Sequence, residues 1–311
     1  MTNTYQPEGT LLSHPENHEF LSSRFGLEKA LEKQKILESV ALLCDSEFNL
    51  HFDLGGIKGI MPRQEVSYLP SGEEVKDIAV LTRVGKPVCF KIAGFKLQSD
   101  GSLCAVLSRK AAQRECYLHY ISTLVAGDIV PAIVTHLENF GAFVDIGCGI
   151  VSLLSIDSIS VSRISHPRVR FSPGDRILAV VKNIDEYGRI YMSHRELLGT
   201  WEENAVMFSP GQTVAGVVRS IENYGVFVEL TPNLAGLAEL KEGVEINQNA
   251  AVYIKSIIPE KMKIKLIIID SHMSPTQPKP IKYFVDPKAV AHMERWCYSP
   301  ACSERVIETV F

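Results

Sequence analysis

From Ser39 to about Ile269 apolar and polar residues alternate along most of the chain, and a period of two is the mark of strands with one buried face. Ahead of that region the period differs. In GLEKALEKQKILES (26–39), Leu27, Ala30, Leu31 and Leu37 fall near i, i+4 spacing with charges opposite, which predicts a helix. Residues 1–24 are polar, rich in Pro, Ser, His and Asn, and read as a loose tail.

Inside the alternating region one phrase is written twice. VPAIVTHLENFGAFVDIG predicts two strands about a turn at Glu138–Asn139, and IVSLLSI predicts a third. After the polar connection SRISHPRVR, SPGDRILAVVKNIDEYGRIYMSHRE predicts two more about a turn at Glu186–Tyr187–Gly188. SPGQTVAGVVRSIENYGVFVEL restarts the cycle at 209; GLAEL is a short third strand and AVYIKSIIPEKMKIKLIII holds a fourth and fifth. Phe140 to Tyr224 and Phe143 to Phe227 are both 84 positions apart. A more degenerate copy comes first, in SVALLCDSEFNLHFDLGGIKGIMP and VGKPVCFKIAGFKLQSDGSLCAVLSRK. Matching Phe52-Asp53-Leu54-Gly55 to Val144-Asp145-Ile146-Gly147 puts Phe48 at the place of Phe140 and His51 at that of Phe143. RKAAQRECYLHYIS (109–122) and HRELLGTWEENAV (194–206) predict linking helices, MSPTQPKP a linker, and DPKAVAHMERW (286–296) a terminal helix with an acidic start and a Pro in its first turn.

These elements divide the chain into a tail and helix (1–38), a degenerate barrel (39–110), a linker helix (111–126), a second barrel (127–196), a linker (197–208), a third barrel (209–270) and a linker with a C-terminal helix (271–311). Five short strands per copy with a Gly-bearing second strand imply a mainly β chain of three tandem five-stranded Greek-key barrels of OB type, with helical termini. Copies two and three resemble the S1-type RNA-binding domain, found in tandem in bacterial ribosomal protein S1. The residues that carry the resemblance are GDIVPAIVTHLENFGAFVDIG (127–147), GDRILAVV (174–181) and DEYGRIYMS (185–193), then GQTVAGVVRSIENYGVFVEL (211–230) and GLAEL (236–240). It spans roughly residues 39–268.

The resemblance implies a nucleic-acid face built from two aromatics on the second strand, often a His on the third, and an Asp and an Arg around the last turn. Copy two matches with Phe140, Phe143, Asp185 and Arg189, and has Ser155 at the His position. Copy three matches with Tyr224 and Phe227, with Lys263 for the Arg and Glu239 at the His position; an acid beside phosphate implies weaker binding there. Copy one keeps only Phe48 and His51, with Cys104 at the Arg position and Pro62 at the His position, and reads as a scaffolding or partner-binding domain.

On a flat strand Phe140 and Phe143 face opposite sides, so a bulge at Gly141 is expected to bring both rings to one exposed face. Bases stacked there contribute on the order of 1–3 kcal/mol each, with Arg189 and Arg195 contacting phosphate. The competing reading makes Phe143 and Phe227 plain core residues. Arg163, His166, Arg168 and Arg170 concentrate positive charge in the connection of copy two, either as a solvated loop or as a guide for the RNA backbone.

Composition narrows the class. With 46% hydrophobic and 22% charged residues the chain is globular. Its net charge of −4 gives no bulk attraction for nucleic acid, and no single barrel is strongly basic, so useful affinity is expected from linking domains along one strand. No apolar run approaches the roughly 18 residues of a bilayer span, and the first residues lack a secretory pattern; a cytoplasmic protein is expected. The 7 cysteines are odd in number and scattered. Cys297 and Cys302, with His292 nearby, lack a fourth ligand for zinc and read as ordinary thiols. Phosphate-binding loops, zinc-protease and nucleophile-elbow motifs are absent from the sequence, and no clustered acids stand ready for magnesium. A non-catalytic single-stranded RNA binder without cofactor is expected, acting in translation at the small ribosomal subunit. The alternative is a regulator working through protein partners in transcription or RNA decay, with a magnesium-dependent nuclease third.

Overall fold

The computed structural model describes residues 5–69, 74–98, 101–273 and 281–311. The expected linker MSPTQPKP lies, beyond Met273, outside them. The chain divides into two compact units, Met1–Leu124 with Asp145–Val151, and Val125–Val144 with Ser152–Phe311.

The first unit contains helices α1 (Pro15–Leu21) and α2 (Arg24–Glu32), strands β1 (Leu37–Val40), β2 (Leu43–Cys44), β3 (Leu50–Leu54) and β4 (Ile57–Met61), helix α3 (Asp77–Leu81), strands β5 (Pro87–Leu97) and β6 (Leu103–Ser108), and helix α4 (Arg109–His119). The six strands run in the order β1-β5-β6-β4-β3-β2. Because β1 and β2 are consecutive pieces of one broken strand, this is the OB order with its first strand split. The β4–β6 pair is parallel, as the Greek key requires. Alternation in LHFDL turns Leu50, Phe52 and Leu54 inward, onto Phe90 and Leu107.

Two expectations fail at the N-terminus. The helix predicted over 26–39 is α2 at 24–32; it ends where Gln34 turns left-handed (φ 52°) and Lys35 N–H reaches back to the Ala30 carbonyl at 2.9 Å. Leu37 then opens β1 and not a further helical turn. Residues 5–24, the described part of the expected tail, are not loose either. Asn17 and Phe20 are buried, and the Asn17 amide pairs both ways with the Glu38 backbone at 2.9 Å. Arg109 donates to the buried Glu8 carboxylate from Nε (2.6 Å) and Nη2 (2.9 Å). Polar pairing, invisible to a hydrophobicity pattern, docks this segment.

In the second unit and the strand end it shares with the first, β7 (Ile129–Glu138), β8 (Gly141–Asp145), β9 (Val151–Ser155), β10 (Arg176–Ile184) and β11 (Ile190–Ser193) close a barrel in the order β10-β11-β9-β8-β7. Helix α5 (Trp201–Ala205) follows. Strands β12 (Thr213–Glu222), β13 (Gly225–Thr231), β14 (Leu234–Ala238), β15 (Asn249–Ile258) and β16 (Lys263–His272) close another barrel with the same connectivity, β12-β13-β14-β16-β15. The single helix predicted over 194–206 is broken: a 3-10 turn at Arg195–Leu198 stops at Gly199 (φ 84°), and a capping box between Thr200 and Glu203 starts α5 afresh.

The C-terminal helix is also replaced. Residues 286–296 form a turn leading into β17 (Arg295–Cys297), which pairs with β18 (Glu308–Val310). Trp296 and Tyr298 repeat at a period of two and go into the third barrel's core beside Trp201. Upstream, Asp128 and His292 form a β-bridge beside β7, so the C-terminal segment touches both closed barrels.

Those barrels are also joined directly. Asn233 at the head of β14 donates to the carbonyls of Arg195 and Gly199, both at 2.8 Å, and accepts from Val161 N–H at 3.0 Å. Arg170 reaches from the second barrel's long connection to the Glu229 carboxylate on β13, at 2.9 Å for Nη1–Oε1.

Candidate nucleic-acid interface

The repeated aromatics occupy the same geometry twice. Phe140 and Phe143 have ring centroids 6.0 Å apart at 90°, and Tyr224 and Phe227 have theirs 6.0 Å apart at 89°. In each pair the first ring stands out (Phe140 55% exposed, Tyr224 65%) and the second is half-buried on the outer face of its strand. The core reading of Phe143 and Phe227 therefore does not hold: the inward residues of these strands are Ala142 and Val144, Val226 and Val228.

In the third barrel the rings come together without a bulge at the glycine. Phe140 and Tyr224 sit in the turn before β8 and β13 and so escape the strand's alternation. The glycine after each is needed because the third strand passes too close for a side chain. A Cβ on Gly141 would meet the Leu154 carbonyl oxygen at 2.5 Å, and one on Gly225 the Ala238 carbonyl oxygen at 2.5 Å. The Phe140 carbonyl then accepts from Ile156 N–H at 2.9 Å, tying the turn to the end of β9. In the third barrel the register shift falls on β12, between Val218 and Ser220, with Gly225 paired in register to Glu222.

Besides the Phe140–Phe143 pair the barrel presents residues not singled out by the sequence. The exposed His136 ring stacks 6.4 Å from Phe143 at 27°, its Nε2 held by Glu138 Oε1 at 2.7 Å. Tyr191 is half-buried on β11, in register with Leu153 of β9. Tyr187, 75% exposed at the tip of the β10–β11 turn, lies under the Arg189 guanidinium at 5.4 Å. The alternation in RIYMS already marks Tyr191 as the residue opposed to Ile190 and Met192; nothing in the pattern marks His136 or Tyr187 beyond their polarity and their turn.

Asp185 builds the turn that presents Arg189. Its Oδ1 accepts from Tyr187 N–H (3.0 Å) and Arg189 N–H (2.8 Å), and its Oδ2 lies 3.4 Å from the Tyr191 hydroxyl. Ser155, at the His position, donates to Ser158 Oγ at 3.0 Å, which also accepts from Lys182 Nζ at 3.0 Å. Arg163 and Arg168 are exposed, and His166 caps the turn of the long connection through Arg168 N–H at 3.0 Å.

Two arginines leave the expected set. Arg170 is buried and bound to Glu229, where Arg219 adds hydrogen bonds at 2.9 and 3.0 Å. Burial alone would raise the Glu229 carboxyl, but these two guanidiniums outweigh it and hold it below its ordinary value. Arg195 is turned to Glu196 Oε1 (3.1 Å) and Thr309 Oγ1 (3.2 Å), at the C-terminal hairpin. Both sit at the joint between barrels, a role that a count of local positive charge does not distinguish from a surface guide.

In the third barrel Lys263 is exposed just after Met262, whose left-handed φ of 48° closes the β15–β16 turn. Lys265 takes the register place of Tyr191, opposite Leu237. Glu239 is exposed. In the first unit the aromatics are occupied. Phe48, at a left-handed φ of 62°, packs on the core and lies under Arg63 at 5.3 Å. His51 Nε2 is 2.8 Å from Asp45 Oδ2, and the hydrogen bonds Asp45 accepts, from His51 first, outweigh desolvation and pull its carboxyl down to about 2.

No metal-holding group of three or more His, Cys, Asp or Glu occurs among the described residues, and no helix among them is long and apolar enough to cross a membrane.

Residues 123–195 match the S1 RNA binding domain family. The chain is similar to small ribosomal subunit protein bS1 of Staphylococcus saprophyticus, 32% identical over 198 residues, covering 59% of this chain and 48% of that protein. It is also similar to the bS1 homolog of Bacillus cereus, 27% identical over 234 residues, covering 70% and 56%. The chain thus spans about half the length of these curated relatives. Among solved structures it is similar to a multidomain protein with nucleic acid binding domains from Streptococcus pneumoniae, 15% identical, covering 80% and 77%, at a TM-score of 0.25. The matched segment forms the closed barrel β7–β11, and a further barrel of the same connectivity follows it: the chain carries tandem OB-type barrels, one of which matches the S1 RNA binding domain family, and it is similar to bacterial small ribosomal subunit protein bS1.

Proposed function

We propose that the chain is a non-catalytic single-stranded RNA binder that stacks bases on Phe140 and Phe143 and, less strongly, on Tyr224 and Phe227. The observation that carries this reading is the duplicated ring pair, equal in spacing and angle, with a glycine behind it that the fold requires. In this reading residues 39–110, 127–196 and 209–270 are three S1-type domains. Tyr191 and His136 extend the stacking surface, Arg189 and Lys182 stand at its edge for phosphate, and Lys263 with Lys265 do so in the third domain. The first domain, with Phe48 and His51 occupied, serves as the docking module of an S1-like factor that holds mRNA at the small ribosomal subunit; co-sedimentation of the chain with small subunits tests that setting.

The stacking itself is tested by fluorescence anisotropy with a labelled single-stranded RNA at physiological salt, comparing wild type with Phe140→Ala/Phe143→Ala. Each base–aromatic stack is worth on the order of 1–3 kcal/mol, so a loss of about 2 kcal/mol, roughly thirtyfold in affinity, is expected with an unchanged thermal midpoint. Equal titrations of the two proteins, or no binding by either, would hand these rings to a protein partner and replace the RNA reading with that of a regulator.

A further inference from the structure

In the first unit the expected ring positions are taken: Phe48 lies under Arg63, and His51 is held by Asp45. A different surface of that unit brings rings and free positive charge together. Helix α4 starts at a cap, with Ala111 N–H donating to Ser108 Oγ at 2.9 Å, and it buries Arg109, Ala112, Gln113 and Cys116. At 3.6 residues per turn, Lys110, Arg114 and Tyr117 then share one outward face. Lys110 and Arg114 are exposed and Tyr117 is half-buried.

Tyr68 completes this surface from outside the helix. Its N–H donates to Gln113 Oε1 at 2.9 Å, and Gln113 Nε2 donates to the Cys148 carbonyl at 3.0 Å. Held in this way, the Tyr68 ring stands 6.0 Å from that of Tyr117, at 51°. Neither ring belongs to the core around Phe52 and Phe90. Among the described residues neither hydroxyl makes a hydrogen bond, so both rings keep a free polar tip.

The charge beside the rings is not neutralised. Among the described residues Lys110 and Arg114 make no ion pair and no side-chain hydrogen bond. The carboxylates of Glu8 and Glu115 are already paired, with Arg109 and Lys91, and Glu65 accepts from the Ser108 hydroxyl. Two cations against that one unpaired acid leave the face positive. Rings next to free cations are what single-stranded nucleic acid uses, its bases on the rings and its backbone on the charges.

We propose that this face of α4, with Tyr68 beside it, is a further contact for single-stranded RNA. Tyr68 and Tyr117 take a base, and Lys110 and Arg114 take the phosphates next to it. The site rests on the RNA-binding reading above. It gives the first unit, a docking module in that reading, its own hold on the RNA, made by a helix and not by a barrel face.

The test uses the full chain and a labelled oligouridylate of about forty nucleotides. Each phosphate contact to a single strand adds about 0.7 to the slope of log affinity against log salt. Lys110→Gln/Arg114→Gln should therefore flatten that slope by about 1.4 and weaken binding about tenfold near physiological salt, with the thermal midpoint unchanged. Lys33→Gln/Lys86→Gln, which removes two exposed charges elsewhere in the same unit, should change affinity less than twofold. Oligouridylate carrying 4-thiouridine should crosslink on irradiation to peptides containing Tyr68 or Tyr117. If Phe140→Ala/Phe143→Ala weakens binding while the α4 variant titrates like wild type or like the lysine control, or if crosslinks avoid both peptides, this site is wrong and the RNA-binding reading stands. If wild type does not bind RNA, that reading falls and the site falls with it.

Discussion

The joint between the two closed barrels rests on one carboxylate, and its energetics can be ordered in advance. Glu229 is buried on β13 between Arg170, from the second barrel's connection, and Arg219, from β12, with side chains 7%, 7% and 11% exposed. Replacing Glu229 by Gln strands two guanidiniums at once, and removing one partner of a buried pair costs about 3–5 kcal/mol. Arg170→Met leaves Glu229 still bound by Arg219 at 2.9 and 3.0 Å, so its cost should be nearer the roughly 1–3 kcal/mol of a buried group with a reduced partner set. The chain's 2 tryptophans, Trp201 and Trp296, both lie in the third barrel's core, so intrinsic fluorescence during urea titration reads this unit. The expected order of destabilisation is Glu229→Gln well above Arg170→Met. Because the arginines hold the folded Glu229 carboxyl below its ordinary value, its contribution is present above the unfolded value of about 4.5 and is lost as pH falls below it. The gap between wild type and Glu229→Gln should therefore narrow between pH 5 and pH 3. An Arg170→Met variant as unstable as Glu229→Gln, or a gap indifferent to pH, would refute the account of a carboxylate shared by two charges.

Gly141→Ala should lower stability by about 1–3 kcal/mol, the usual cost of forcing atoms into a packed site, because its methyl would meet the Leu154 carbonyl; Gly94→Ala, with nothing within 4 Å, is the neutral control in parallel urea titrations. His194 is buried, with Nδ1 3.0 Å from the Ile159 carbonyl oxygen and Nε2 3.3 Å from the Tyr283 hydroxyl, and burial, with Arg170 adding repulsion, pulls it from 6.5 to about 4. Its stabilisation is present above 6.5 and is lost as pH falls towards 4, on the order of 3 kcal/mol in all, so His194→Gln should flatten the acid limb of the tryptophan-monitored stability curve, and an unchanged limb would discard this assignment.

What the chain's pattern discloses and what it hides follow one physical division. Strand periodicity records which residues face inward, and β7–β16 appear where alternation places them because Val144, Leu154, Val228 and Leu266 must leave water. The errors cluster where apolar burial is not the organising force. The first residues dock through Glu8, Asn17 and Glu38, all polar, and a window of hydrophobicity reads such residues as solvent-facing. Over 286–296 a helix-compatible composition is overruled by Trp296 and Tyr298, which gain a core only as alternate residues of an extended strand. At Gly199 a left-handed φ of 84° divides a helix that propensity alone would continue.

The surface is legible by a different route. Outward positions carry no burial constraint, so only repetition makes them informative, and the second and third barrels repeat the ring pair and its glycine while letting the neighbours drift. Tyr191 becomes Lys265 at the same register, and the His position holds Ser155 in one barrel and Glu239 in the other. Positive charge misleads for the same reason: Arg163, Arg168 and Arg170 are neighbours in sequence, yet the first two face water and the third is bound to another barrel's carboxylate. A guanidinium's partner lies across the fold, and local composition is blind to it. The conserved feature of the repeat is thus a backbone approach that forbids a side chain after the turn aromatic. That approach holds both rings of each pair at the same spacing and angle, while the residues around them set how each barrel is used. On the proposed RNA-binding reading, a chain that keeps one geometry twice and varies its rim would grip one strand at two unequal points, the stronger at Phe140 and Phe143.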